Sequence, residues 1–88
     1  MQNAHMSSPV RHTEAVRAAI DTLGGTVAVA RALVDGGRII DLSGLERDCA
    51  MLCAALMALD VADARRLKPA LEELLYQVNR LAAHMEPV

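Results

Sequence analysis

Apolar residues recur at alternating spacings of four and three in three stretches of this chain, the period that lays a stripe along one side of an α-helix. The first stripe is Val16, Ile20, Leu23, Val27, Ala30 and Val34; the second is Leu45, Cys49, Leu52, Leu56 and Leu59. The third is Leu67, Leu71, Leu74, Val78, Leu81 and Met85. No stretch sustains the strict alternation of a half-buried strand. The pattern therefore predicts an all-α protein with helices over about 9–35, 44–59 and 61–85.

Local chemistry sets the expected boundaries. Ser8-Pro9 supplies an N-cap followed by proline at the first helical position, with Thr13 before Glu14 as a rival start. Gly36-Gly37 suits a helix end, because glycine takes the left-handed conformation there without a side-chain penalty. Ser43-Gly44-Leu45-Glu46 reads as a capping box, in which serine and glutamate each satisfy the other's free amide. Asp60 is placed to cap the third helix, with Asp63 adding negative charge in its first turn.

Two features interrupt this regularity. Gly24-Gly25 falls inside the first stripe, and each glycine weakens a helix by about 1 kcal/mol relative to alanine, which predicts a kink, a break or a close helix contact. Pro69 lies within the third segment, where it removes one hydrogen bond and crowds the carbonyl of Arg65. The stripe passes from Leu67 to Leu71 in phase, so a kinked but continuous helix is expected. Between the first two helices, Ile39, Ile40 and Leu42 make the connector too apolar to hang free, and we expect it to tuck into one end of the bundle.

Short connections make consecutive helices antiparallel neighbours, giving an up-down-up three-helix bundle or a smaller helical-hairpin unit. Within it the run Cys49 to Leu59, CAMLCAALMAL, has no charged residue. A helix through that run is apolar on every side and needs cover all round. Two flanking helices cover about half of a cylinder. The surplus predicts a homodimer, or a bundle with a helical protein partner, through Ala50, Met51, Ala54, Met57 and Ala58 of the second helix and Val29 and Leu33 of the first. The alternative is a monomer in which the connector does the covering.

Composition sharpens this picture. Eighty-eight residues make one domain, near the lower size at which a core is stable without disulfide, metal or self-association. Residues 1–7 are expected to be a tail, with His5-Met6 resembling a cloning scar, and 8–88 a single helical domain. A 53% apolar fraction excludes a disordered chain. Sixteen alanines and eight arginines against one lysine match the codon usage of a GC-rich genome, so a bacterial origin is expected. Net charge is −2 with acids and bases interspersed, and there is one Tyr, no Phe and no Trp. Neither a nucleic-acid field nor a stacking platform is present, so we expect no nucleic-acid partner. The apolar run falls short of the roughly 20 residues that span a bilayer, which predicts no membrane insertion and a cytoplasmic protein.

Candidate chemistry is sparse. Cys49, Cys53 and Met57 lie four apart and could present soft ligands for Cu(I), or for zinc if two cysteine pairs met across a dimer seam. Core filling is the simpler role for all three. A Cys49–Cys53 disulfide is disfavoured, because side-chain carbons at this helical spacing lie about 5–6 Å apart against the 3.8 Å or so of a disulfide. His5, His12 and His84 have no carboxylate or serine at a spacing that builds a nucleophile–base pair. Glu72 and Glu73 are adjacent and point apart. Arg65, Arg66 and Lys68 form a small basic patch bracketed by acids and read as a solvated face. The reading is a non-enzymatic interaction module, an adaptor, regulatory or assembly factor, without cofactor. A thiol metal-binding bundle using Cys49 and Cys53 is the alternative, and a small DNA-associated regulator comes third.

Overall fold

In a computed structural model of the chain, residues 3–85 are described, with side chains from residue 11 onward. Three helices follow one another: α1 (Asn3–Asp35), α2 (Ser43–Met57) and α3 (Val61–Met85). No strand occurs among the described residues. All three helix pairs pack against each other, so the cross-section is triangular. Thr13 of α1 meets Asp63 of α3, and further along Ile20 to Arg31 run beside Ala70 to Gln77. These two helices are thus parallel, and α2 returns antiparallel between their ends, giving the expected up-down-up order.

The core is built on the three stripes. Among the described residues every buried one belongs to a stripe: five from α1, four from α2 and five from α3, with Leu81 fully buried. Three stripe residues are only half-buried, namely Val34, Leu59 and Met85. Each is the last of its stripe, where the flanking helices no longer reach round. Burying an aliphatic side chain stabilises by about 1.5–3 kcal/mol, so this seam carries most of the favourable free energy of folding.

The ends are built less uniformly than the stripes. α1 stops in a Schellman motif: the Arg38 amide donates to the Leu33 carbonyl at 2.9 Å and the Gly37 amide to that of Val34 at 2.9 Å. Gly37 sits at φ 88°, the left-handed region that glycine alone enters freely. The capping box at α2 does not form. Leu42 occupies the N-cap position without a side-chain hydrogen bond, and the Ser43 amide donates instead to Asp41 Oδ1 at 2.9 Å. Asp41, two residues upstream, takes the Ser43 amide that Glu46 would have accepted, and the Glu46 amide donates to the Leu42 carbonyl at 3.0 Å instead of to the Ser43 hydroxyl. At the other end α2 finishes at Met57, two residues short of the expected boundary, and Ala58 to Asp60 turn the chain into α3.

α1 begins at Asn3, upstream of the Ser8-Pro9 boundary, and Thr13 lies inside it. The Ser8 cap and the side chain of His5 lie outside the described residues. Gly24 and Gly25 leave α1 unbroken, and a Cβ at either position would meet nothing within 4 Å, so no close helix contact occurs there. Pro69 likewise sits within a continuous α3. The connector is split: Ile40 and Leu42 pack against the core, whereas Ile39 is 93% exposed. Ile39 and Ile40 are consecutive in the seven-residue connector 36–42, and as one packs inward its neighbour is left facing water. The molecule measures 54 × 22 × 16 Å with a radius of gyration of 15.3 Å. A compact chain of this length has a radius near 12 Å; the excess reflects α1, whose 33 residues extend about 50 Å.

Candidate functional site

The sulfur-bearing residues separate as the helix turns. Successive steps of four advance about 40° around an α-helix of 3.6 residues per turn. Cys49 therefore points into the core, Cys53 lies at its edge, and Met57 is 82% exposed. Burial pushes the Cys49 thiol above its ordinary range, with Cys53, Asp48 and Glu46 adding in the same direction. A thiol held in its neutral form is a poor metal ligand and a poor nucleophile. Both cysteines are free, and among the described residues no three His, Cys, Asp or Glu side chains gather closely enough to hold a metal ion.

The basic patch at the start of α3 is largely internally neutralised. Arg66 pairs with Asp63 one turn earlier, and Asp63 also accepts from Thr13 Oγ1 at 3.1 Å, which ties α3 to α1. Lys68 Nζ lies 3.8 Å from Glu72. Arg65 makes no ion pair or hydrogen bond among the described residues. Sequence reasoning did not foresee the Thr13–Asp63 link. Nothing in the spacing of two residues fifty apart announces it.

The seven candidate interface residues are all solvent-exposed in the single chain. Met51 is 63% and Val29 62% exposed, and Leu33, Met57, Ala50, Ala54 and Ala58 are open as well. The expectation that the Cys49–Leu59 run is covered all round is thus not met by the chain's own helices. Cys49, Leu52 and Leu56 are buried; Cys53, Ala55 and Leu59 are half-buried; the rest faces outward. On α2 these outward residues form a crest of Ala50, Ala54 and Ala58, with Met51 leaning toward α1 and Met57 toward α3.

Three grooves separate the helices, and their walls differ. The α1–α3 groove, about 560 Å³, carries Asp21, Arg31, Glu73 and Gln77 on its rim. The α1–α2 groove, about 500 Å³, is edged by Thr22, Thr26 and Asp48, with Met51 over it. The α2–α3 groove, about 600 Å³, has a floor of Leu56, Leu59, Leu71 and Leu75 and is flanked by Met57 and Val61, both exposed. Its charged residues are Arg65, Lys68 and Glu72. None of the three converges several polar groups on one point, as a catalytic pocket does. No helix is long and apolar enough to cross a membrane among the described residues. No protein-family model, curated protein or solved structure matches the chain.

Proposed function

We propose that this protein is a non-enzymatic helical interaction module, an adaptor or assembly factor that buries the outer face of α1 and α2 against helices of a partner, with a second copy of itself as the first candidate. One observation carries the reading: the apolar crest of α2, flanked by Met51 and Met57, is uncovered by the chain's own helices. Large exposed apolar patches on small domains mark interaction surfaces. Small residues on the crest allow two helix backbones to approach closely, and a two-fold contact would bring the same patch from both copies together. Methionines at its edges are flexible enough to fit more than one packing. A reducing, cytoplasmic setting belongs to this reading, because both thiols are free.

Sedimentation equilibrium tests it, with Ala54→Glu as the comparison. Glutamate is a good helix former at an exposed site, so the variant folds, while a charge on the crest opposes burial. Self-association of the wild type, lost in the variant, is the expected result. A wild-type chain that remains monomeric throughout the micromolar range and binds no hydrophobic dye would defeat the proposal.

A further inference from the structure

We infer that the α2–α3 groove is a second docking site, separate from the crest of α2, and that its occupant is an amphipathic helix of another protein bearing acidic residues beside its apolar stripe. The inference rests on the reading of the chain as an interaction module, but of the residues named for the crest it shares only Met57.

Shape selects a helix. From Val61 to Leu75 the groove follows α3 for about 21 Å at 1.5 Å per residue, nearly four helical turns. It is open along one side, so a single acyl chain lying in it would keep much of its surface in water, whereas bound small molecules bury most of theirs. A helix placed there instead packs its stripe on the leucine floor and presents its polar side to solvent. Met57 and Val61 stand at one end as exposed apolar contacts.

Charge selects the sign. Along this groove Glu72 is matched by Lys68, at 3.8 Å, and Arg65 has no ionic partner among the described residues. The surplus is positive on a chain whose net charge is −2. The other two are not positive in balance: in the α1–α3 cleft Arg31 faces Asp35 at 3.5 Å while Arg17 and Arg66 share their end of it with Glu14 and Asp63, and the α1–α2 groove has Asp48 alone. Carboxylates on the incoming helix would meet Arg65 and Lys68 at the rim, where complementary charge sets partner choice and orientation.

The test uses a fluorescein-labelled amphipathic peptide of about five helical turns, with leucines at helical spacing flanked by glutamates, and a twin with lysines replacing the glutamates. Anisotropy titration of the full chain should show saturable binding of the glutamate peptide, and binding of the lysine peptide weaker by about tenfold. Arg65→Glu with Lys68→Glu should reverse that order. Val61→Glu, an exposed substitution outside the crest checked by circular dichroism, should abolish binding, and bound peptide should slow the reaction of Cys53 with a thiol reagent.

Equal affinity for the two peptides would overturn the inference, as would an order unchanged by the double reversal. Sensitivity to Ala54→Glu but not to Val61→Glu would place the peptide on the crest and equally overturn it. If the double reversal alters sedimentation mass instead of peptide affinity, a second copy fills the groove and the inference fails. Self-association without peptide binding sinks this inference alone; peptide binding by a monomeric wild type sinks only the self-association.

Discussion

Asp41 illustrates how one side chain redirects a boundary. Its carboxylate accepts the Ser43 amide, and that bond, with help from the Ser43 hydroxyl and the Arg47 charge, holds its pKa below the ordinary aspartate range. A folded-state pKa below the unfolded one means a stabilising contribution that is present above about pH 4 and lost as pH falls through the lowered value. Asp41→Ala should therefore be less stable than wild type in urea melts near neutrality, and the gap should close in acid. Replacing Ser43 by Ala should matter less, since its amide remains. Cys49 behaves in the opposite sense. Its pKa is raised by burial, so its contribution is complete below about pH 8.5 and declines as pH rises, because the unfolded thiol ionises first. Wild-type stability should fall more steeply than that of Cys49→Ala between neutral and alkaline pH. In the folded protein a thiol reagent should modify Cys53 readily and Cys49 only as the chain unfolds, which mass spectrometry of the labelled peptides distinguishes.

At the scale of the helix, glycine has two meanings in this chain. Gly24 and Gly25 occupy ordinary helical positions where an added Cβ meets nothing, so Gly24→Ala and Gly25→Ala should each stabilise by up to about 1 kcal/mol. Thermal melting should rise for each, at about 4–8 °C per kcal/mol gained in a domain of this size. Gly37 lies at φ 88° and closes the Schellman motif, so Gly37→Ala should lower the melting temperature despite the equally open space around it. The same substitution thus changes sign with backbone conformation. Pro69 lies at an exposed position inside α3, and Pro69→Ala restores one hydrogen-bond donor. It should stabilise α3, because proline costs a helix interior about 3 kcal/mol against the roughly 1 kcal/mol it gains by restricting the unfolded chain. Leu81 is the reference for the core: fully buried, it should cost about 2–5 kcal/mol when cut to alanine, read from the shift in denaturant midpoint.

For the whole molecule, three stripes meeting in one narrow seam make a rod, 54 Å long and 16 Å across at its thinnest. A rod of this kind has a high ratio of surface to core, and each helix keeps an outward flank that its own neighbours cannot reach. If the crest of α2 is covered by association, the melting temperature of the wild type should rise with protein concentration, and that of Ala54→Glu should not. Much of the architecture was legible beforehand. The helical period by itself determined that the chain is all-α, which residues form the core, and where α3 begins and ends, because a repeat of 3.6 residues permits one buried face and no other. Gly36-Gly37 likewise announced the end of α1, since the left-handed turn there depends on local backbone sterics. Only the tertiary structure decided the rest. That Asp41 rather than Glu46 accepts the Ser43 amide, that Thr13 reaches Asp63, and that Ile39 points to water all depend on the angle at which segments meet. So does the difference between the three grooves: a stripe tells which side of each helix turns inward, whereas the flanks left open are set by how the three helices lean on one another.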